Sequence, residues 1–271
     1  MTKTTTKRPK IAIGMFGLPR GSELTLPTIE RHFAEPARAL GEVRLFHHLY
    51  LQDRVTNARS GENSEMPRGA YAPFEAFDGE LEAPEHCLSL YPVEAIKARG
   101  DHYQDGFRSI RNLVHQLHSL KQVTQRIARW QPDLVLFLRP DLHYEAGFGA
   151  DELAAALARP RRCVIPEWHW WGGYNDRFAL CGAGIYRAYG ERIDQALDFC
   201  KASGRPLHAE RLVRHALRAG GASLRTTPAR ASRVRTDSQI KPEDFSPVPT
   251  CGSVRRRVEL SWLGVMQRIT P

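Results

Sequence analysis

Short apolar runs that alternate with helix-type patterns constrain the fold of this chain more than any other feature. Four runs have strand character, and segments with apolar residues at helical spacing separate them: residues 10–16, 43–50, 133–139 and 162–167. Strands that alternate with helices usually pair in parallel, and the helices cover the faces of their sheet. The sequence therefore predicts an α/β fold with a single, mainly parallel, Rossmann-like sheet covered by helices on both faces.

The clearest helical segment begins near Asp105, a residue type that caps helices, and ends before Pro132. Its apolar residues fall on one face: Phe107, Ile110, Val114, Leu117, Leu120 and Ile127. Further helices are predicted at about 24–39, 150–158, 184–201 and 206–219. Residues 52–90 lack a sustained period and contain several turn formers, so they are predicted to leave the sheet as a long insertion.

The domain organisation follows from these patterns. At 271 residues with 42% hydrophobic residues, the chain can build one full core. We predict a flexible N-terminus at 1–9, one folded domain at 10–235 and a polar, proline-containing tail at 236–271. The end of that tail, VELSWLGVM, is expected to dock as a short helix or strand.

Charge and cysteine content limit which cellular compartment and which binding partners are expected. Net charge is +9, and eight arginines between residues 205 and 235 face one acid, Glu210. This basic region suits an anionic membrane surface, a nucleotide diphosphate or plain solvation; nucleic acid is not expected, because no nucleic-acid-binding motif accompanies the arginines. Five cysteines without a C-x-x-C pair, no signal sequence and no long apolar run predict a cytoplasmic protein, with peripheral membrane contact left open.

The first strand opens into a loop that suits an anion. In FGLPRGSELTL, Gly14, Gly17 and Arg20 precede a helix whose free backbone amides could bind a diphosphate. The loop matches neither the Walker A pattern nor G-x-G-x-x-G. A structural turn between strand and helix is the alternative interpretation.

A second candidate lies at the end of strand 133–139. Ligands of open α/β sheets bind outside the carboxyl ends of strands, and Arg139 and Asp141 occupy such an end. The alternative is an Arg–Asp pair that closes the strand. His143 is a secondary candidate for a ligand or a hydrogen bond.

The segment PEWHWWGGYNDRF carries a dense aromatic cluster before two polar residues. Trp168, Trp170, Trp171 and Tyr174 could stack on sugars or nucleobases, while Asn175 and Asp176 could bind hydroxyl groups. The alternative is that these aromatic residues belong to the core.

Two other sets of residues have side chains that could carry chemistry. His208 and Glu210 begin a predicted helix, so Glu210 is either a functional carboxylate or an ordinary first-turn acid paired with arginines. His115 and His118 have helical spacing but are expected to have no carboxylate or cysteine cluster nearby, so no metal site is predicted there.

Two known families have similar residues at these positions. GLPRGSELT resembles the G-x-P-R-S-G-T-T loop by which sulfotransferases bind their phosphosulfate donor, although Glu23 departs from that pattern. At more points the chain resembles bacterial glycosyltransferase-like proteins of the GT-A superfamily, which are associated with surface polysaccharides. After the first strand and its G-x-P-R turn, the resembling segments lie in order: VRLFHHLY, HSLKQV, LFLRPDLHY, GGYNDRFALCGAGIYRAYGERI, LHAERLVRHAL and ASLRTT.

The GT-A resemblance implies a catalytic domain over 10–235 that moves a sugar from a nucleotide diphosphate donor to a saccharide or lipid-linked saccharide. Such enzymes usually carry D-x-D where this chain has Arg139-Pro140-Asp141, and those carboxylates bind Mn²⁺ or Mg²⁺. Here two alternatives follow. Arg139 neutralises the diphosphate itself, or Asp141 still holds a cation.

The resemblance and the motifs together assign roles to individual residues. Asp176 and Glu210 are the predicted catalytic residues, and Asp141 is the candidate metal ligand. The predicted substrate-binding residues are Gly14, Gly17, Arg20, Arg139, Trp168, Trp170, Trp171, Tyr174, Asn175 and His208. The alternative functions are a phosphosulfate-dependent sulfotransferase and a non-enzymatic basic adaptor that binds anionic surfaces.

Overall fold

A computed structural model gives the structure of residues 8–57 and 61–248. Its twelve described strands, in chain order, are β1 Lys10–Gly17, β2 Glu42–Tyr50, β3 Arg54–Asn57, β4 Glu62–Glu65, β5 Asp78–Glu82, β6 Leu134–Leu138, β7 Leu142–Ala146, β8 Arg162–Pro166, β9 Ala179–Gly182, β10 Ser223–Thr227, β11 Arg230–Val234 and β12 Ile240–Lys241. The predicted strands at 10–16, 43–50, 133–139 and 162–167 are all present, with boundaries that differ by one residue at most at each end.

The described α-helices are α1 Ser22–Ile29, α2 Glu35–Leu40, α3 Val93–Lys97, α4 Arg108–Trp130, α5 Ala150–Leu157, α6 Tyr186–Gly190, α7 Ala196–Ser203 and α8 Ala209–Ala219. A π-helical turn, Glu30–Ala34, joins α1 to α2. The helix predicted at 184–201 is divided into α6, a 3₁₀ turn and α7. No helix among the described residues is both long and apolar enough to span a bilayer.

Seven strands form the central sheet in the order β10-β8-β9-β6-β1-β2-β5. Neighbouring strands pair in parallel except β9, which runs antiparallel to both β6 and β8. The predicted fold class, α/β with a mainly parallel, Rossmann-like central sheet, is therefore confirmed.

Alternate residues of the buried strands pack under different helices. Ile11 and Ile13 of β1 lie in a cluster with Phe33, next to α1, and with Leu153 of α5. On the opposite face, Ala12 lies in a cluster with residues of α4, α6 and α8. The predicted apolar face of α4 is buried from Ile110 to Ile127, because its first half packs with residues of α3 and α7 and its second half, from Leu120, covers the sheet. Helices therefore cover both faces, as predicted.

The structure corrects the prediction that residues 52–90 leave the sheet throughout. β3 and β4 form a separate hairpin, but β5 returns and pairs in parallel with the edge of β2. The sequence of β5, DGELE, is polar and mostly accessible because it is an edge strand, so it lacks the apolar alternation that predicts a half-buried strand.

A second, three-stranded sheet lies beside the first and joins the chain beyond residue 236 to the domain. In it β11 pairs antiparallel with both β7 and β12, and His143 pairs with Ser232. Further along, Phe245 packs edge-on against Trp168. Residues 1–7 of the predicted N-terminus, Cys251 and the segment VELSWLGVM lie outside the described residues. The domain boundaries stay predictions.

Candidate active site

The carboxyl edge of the central sheet collects the polar residues that the sequence singled out. β6 ends at Leu138, so Arg139 and Asp141 follow at that edge. β9 runs in the opposite direction, and the pairing of Phe137 with Ala179 places its start at the same edge. Asp176, which precedes β9, is therefore brought to the residues that follow β6.

Two helices begin at this edge for the same topological reason. α4 leads into β6 and α8 leads into β10, so each helix starts near the carboxyl ends of the parallel strands. The first half of α4 contributes Gln116, and the first turn of α8 contributes Glu210. The two helices therefore bring Gln116 and Glu210 to the edge that carries Arg139 and Asp176.

A continuous chain of hydrogen bonds connects the two predicted motifs at this edge. Arg139 donates from Nε and Nη2 to the two oxygens of Asp141, each at 2.9 Å. Its Nη1 donates to Oε1 of Gln116 at 3.0 Å, and Nε2 of Gln116 donates to Oδ2 of Asp176 at 3.1 Å. Arg20 also donates to Asp141. We call these five residues, Arg20, Asp141, Arg139, Gln116 and Asp176, the rim network.

Arg20 is held at the buried end of the rim network. Its Nη1 donates to Oε2 of Glu62 at 2.7 Å, and Arg235 donates to the same oxygen at 3.1 Å. The turn that follows Arg20 is covered, because Gly21 has a φ of +61° and an added Cβ would lie 2.4 Å from Val234. The start of α1 is therefore packed against the small sheet near the end of β11.

Asp141 does not fit the metal that the GT-A resemblance implies. The residue is only 2% exposed, and two guanidinium groups take up its carboxylate oxygens. Burial alone would raise the pKa of Asp141, but Arg139 and Arg20 outweigh it and hold this pKa well below its ordinary value. The positive charge beside Asp141 is therefore supplied by arginine, and an added cation would meet two like charges.

The loop between β8 and β9 turns part of its aromatic cluster inward. Trp168 is fully buried, and its indole N–H donates to the carbonyl of Ala229 at 2.8 Å. Asn175 is fully buried as well, donating to the carbonyl of Trp168 at 2.8 Å and accepting from the amide of Arg177 at 2.9 Å. These two residues lie inside the loop and define its shape.

The other aromatic residues of the loop are accessible to different degrees. Trp171 is 62% exposed, with a φ of +45°. Trp170 and Tyr174 are half-buried and pack edge-to-face, with ring centroids 5.2 Å apart. Trp170 also donates to the carbonyl of Pro166 at 2.8 Å. The loop thus presents Trp171 to solvent and keeps its neighbours partly covered.

The loop contacts the first turn of α8 closely. An added Cβ on Gly173 would lie 2.0 Å from the carbonyl oxygen of Glu210, so only glycine allows this approach. The amide of Tyr174 donates to that carbonyl at 2.9 Å. His208 Nδ1 lies 3.1 Å from Oε2 of Glu210, although the two atoms are not aligned as a hydrogen bond.

The negative charge of Asp176 affects the pKa of Glu210. Burial, followed by the negative charge of Asp176, raises the pKa of Glu210, while His208 opposes that rise. His208 is nearly buried, and its ring stacks with Tyr103. Two carboxylates at one edge therefore differ in environment: Asp176 accepts a hydrogen bond from Gln116, and Glu210 resists ionisation.

The two glycines of the first loop lie at different depths. Gly14 is within β1 under α4, and an added Cβ would lie 2.6 Å from Ile127. Gly17 ends β1, and its amide donates to Ser119 at 2.8 Å. The structure thus brings Arg20, Arg139, Asp141 and Asp176 into one network, and Gly14 sits below this edge.

Sequence reasoning missed Gln116, Glu62 and a group of possible metal ligands. Gln116 lies on the polar side of α4, and Glu62 belongs to the segment 52–90, which lacks periodicity. No sequence pattern therefore marked either residue as part of the site. Among the described residues, His48, Glu82 and His118 place three ligand atoms within 4.8 Å of one another. The expectation that His118 has no carboxylate partner is wrong, because β5 joins the sheet and brings in Glu82 from 36 positions away.

Comparisons with known proteins found no matching family model and no matching curated protein. Among solved structures, the apo form of mouse xyloside xylosyltransferase 1 is similar at 11% sequence identity with a TM-score of 0.43. The match covers 80% of this chain and 84% of that chain.

Proposed function

We propose that this protein is a glycosyltransferase that moves a sugar from a nucleotide diphosphate donor to a saccharide or lipid-linked saccharide acceptor. The observation that carries the proposal is the rim network, which links Arg139 to Asp176 at the edge where ligands of open α/β sheets bind. The sequence resemblance to GT-A enzymes associated with surface polysaccharides supplies the reaction class. Assembly of a surface polysaccharide is the proposed pathway.

Arg139 is the proposed contact for the donor diphosphate. Its side chain is 19% exposed, against 9% for Arg20, so it is the more accessible guanidinium of the network. Three of its N–H groups are used by Asp141 and Gln116, which leaves two donors and a fixed orientation. A guanidinium held in this way binds phosphate oxygens with little loss of side-chain entropy. We assign Asp141 and Arg20 to positioning Arg139, with no step through a metal.

The two carboxylates are the proposed catalytic groups. A general base works best when its pKa lies near the operating pH, and the raised pKa of Glu210 moves it in that direction. Asp176, bound by Gln116, is suited to hold the donor sugar or to receive the acceptor proton. A base that accepts the acceptor hydroxyl proton typically contributes about 10²–10⁴-fold to the rate.

The loop between β8 and β9 is the proposed acceptor platform. Exposed Trp171 offers a flat apolar face of the kind that packs on sugar C–H groups, and Tyr174 lies beside Glu210. Trp168, Asn175 and Gly173 shape the loop from inside, and His208 Nδ1 lies 3.1 Å from Oε2 of Glu210. Gly17 ends β1, and we assign its backbone to the boundary of the site.

The alternative functions have less support. A sulfotransferase would need the loop after β1 as a phosphate cradle, whereas Arg20 faces Glu62 and Asp141, and Val234 covers Gly21. The basic adaptor would use the arginines of 205–235. Of these, Arg233 and Arg235 are paired with acids, while Arg214 and Arg218 line a shallow groove on α8 that is available for an anionic surface.

The test is a thermal-shift screen with nucleoside diphosphates and nucleotide sugars, followed by an assay for nucleotide release. A ligand that binds the native state raises the melting temperature. We expect at least one nucleotide diphosphate to stabilise the wild type, and we expect Asp176→Asn and Glu210→Gln to lower transfer while keeping that stabilisation. Asp198→Asn, at an exposed acid of α7 whose side chain is 80% exposed, is the matched control.

Two results would replace the proposal. Stabilisation by adenosine 3′,5′-bisphosphate, with none by UDP or GDP, would indicate a sulfotransferase. Absence of any nucleotide response, together with binding to anionic vesicles that Arg214→Ala and Arg218→Ala abolish, would indicate the adaptor. Full transfer activity in Asp176→Asn would remove the assigned role of that carboxylate.

A further inference from the structure

A second polar cluster lies at the carboxyl edge, beside the rim network but separate from it. His48 is near the end of β2, Glu82 ends the neighbouring strand β5, and His118 lies on α4, which covers β2. We call these three residues the histidine cluster. The proposed glycosyl transfer does not use them, so their arrangement needs an explanation of its own.

The histidine cluster centres on one carboxylate oxygen. Nε2 of His48 lies 2.8 Å from Oε2 of Glu82, and Nε2 of His118 lies 2.9 Å from the same oxygen. Both imidazole side chains are 2% exposed, whereas the side chain of Glu82 is 23% exposed. Two buried imidazoles therefore point the same ring atom at one partly accessible oxygen.

The tautomer of His48 follows from its other hydrogen bonds. The hydroxyl of Ser119 donates its one proton to the carbonyl of His48 at 2.6 Å and accepts the amide proton of Gly17 at 2.8 Å. Nδ1 of His48, 3.1 Å from that hydroxyl oxygen, must then be the donor. A neutral His48 consequently carries its proton on Nδ1 and a lone pair on Nε2.

That tautomer leaves two lone pairs facing each other. Nε2 of His48 and Oε2 of Glu82 are both acceptors at 2.8 Å, a contact that is repulsive unless a positive charge lies between them. A metal ion between the three side chains would remove this repulsion. Histidines that bind metals typically hold the other ring nitrogen to an oxygen, as His48 does with Ser119 and His118 does with Tyr91 at 2.9 Å.

We propose that His48, Glu82 and His118 form a binding site for a divalent transition metal of the zinc class. Two imidazole nitrogens and one carboxylate oxygen suit zinc or cobalt and disfavour magnesium and calcium, which prefer all-oxygen ligands. Three protein ligands leave one coordination position of a tetrahedral ion open. The Glu82 side chain is 23% exposed, so water can reach the site and fill that position.

The site must adjust locally to accept the ion, because its three ligand atoms lie within 4.8 Å of one another and the two N–O distances are shorter than a tetrahedral site allows. Zinc–ligand distances of about 2.0–2.2 Å place neighbouring ligand atoms of a tetrahedral site about 3.3 Å apart. The two N–O distances must therefore open by about 0.5 Å from 2.8 and 2.9 Å. Glu82 is partly exposed at the end of an edge strand, so its side chain can move outward.

The experiment is a titration of the metal-stripped full-length chain with Co²⁺, followed by displacement with Zn²⁺. We expect one Co²⁺ per chain, a visible absorption spectrum of the tetrahedral type, and loss of that spectrum when Zn²⁺ is added. Glu82→Gln keeps the size of a partly exposed side chain and should abolish the tetrahedral spectrum. Ser119→Ala should weaken Zn²⁺ binding by about 10–100-fold, because it removes the oxygen that orients His48.

The control is His115→Asn, one helical turn before His118. Nδ1 of His115 lies 2.9 Å from Sγ of Cys87 and belongs to a different contact, so this variant should bind Co²⁺ like the wild type. Melting in chelator, without metal, identifies any variant that fails to fold. For the wild type and His115→Asn, Zn²⁺ should raise the melting temperature and chelator should reverse the rise, whereas Glu82→Gln should show no rise. No Co²⁺ spectrum in the wild type, or wild-type affinity in folded Glu82→Gln, would overturn the proposal.

Discussion

Asp141 and Glu82 both lie at the carboxyl edge of the sheet, yet their oxygens face opposite kinds of partner. Asp141 accepts hydrogen bonds from two guanidinium groups, which stay charged at any working pH. Glu82 faces two imidazoles that can lose a proton and offer a lone pair. Similar carboxylates at one edge can thus serve different purposes. The arginines neutralise Asp141 with permanent positive charge, whereas the histidines beside Glu82 can bind a metal ion together with it.

The largest expected effect comes from removing the carboxylate of the rim network. Asp141→Ala would leave the buried Arg20 and the half-buried Arg139 without their shared counter-charge. We expect a loss of about 3–5 kcal/mol in the free energy of unfolding, measured by urea denaturation. Glu30→Ala, which breaks the exposed contact with Arg38, should cost at most about 1 kcal/mol. Equal effects of the two changes would mean that the Asp141 contacts do not stabilise the fold.

The second prediction tests whether metal binding is confined to the histidine cluster. At a free Zn²⁺ concentration of 100 times Kd, the wild type should gain about 2.7 kcal/mol in unfolding free energy. Asp176→Asn, in the rim network, should keep this gain, and Glu82→Gln should lose it. Loss of the gain in Asp176→Asn instead would assign the metal to the other region.

The third prediction concerns the contact that holds Glu210 in place. Gly173→Ala puts a methyl group 2.0 Å from the carbonyl oxygen of Glu210, so the loop and the start of α8 must separate. We expect a cost of about 1–3 kcal/mol and a fall in transfer rate, measured by denaturation and by nucleotide release. Gly69→Ala is the matched control, because its added Cβ meets nothing within 4 Å. A normal transfer rate in Gly173→Ala would show that this contact does not position Glu210.

The smallest expected effect is a change in the pH dependence of stability. The pKa of Glu210 is raised in the folded chain, so between its unfolded and folded pKa values the native state binds more protons than the unfolded state. Stability contributed by this group is therefore present below that window and falls as pH rises through it. Glu210→Gln should narrow the difference in melting temperature between acidic and neutral pH. An unchanged difference would contradict the raised pKa.

The strands and the longest helix were predictable because their burial is local in sequence. β1, β2, β6 and β8 are apolar runs, and α4 repeats its apolar residues from Ile110 to Ile127 at helical spacing. β5 was missed because an edge strand needs no apolar face. β9 was missed because four residues between a polar loop and a turn give too short a pattern to distinguish.

The candidate site was predictable only in part, because contacts between distant residues decide it. Arg139 and Asp141 could be placed at a strand end from local pattern alone. The contact of Arg235 with Glu62 spans 173 positions, and that of Arg139 with Gln116 joins a strand end to a helix. Whether Trp168 and Asn175 face a ligand or the loop interior likewise depends on how the tail packs, which no local pattern specifies.

The most direct test is to titrate nucleoside diphosphates, UDP and GDP first, into the full-length chain with and without EDTA. If Arg139 supplies the charge for the diphosphate, one nucleotide should bind with the same affinity in both conditions, and Arg139→Gln should weaken that binding. Failure of every nucleoside diphosphate to bind, or binding that EDTA abolishes, would contradict an arginine-based nucleotide-sugar site at this edge.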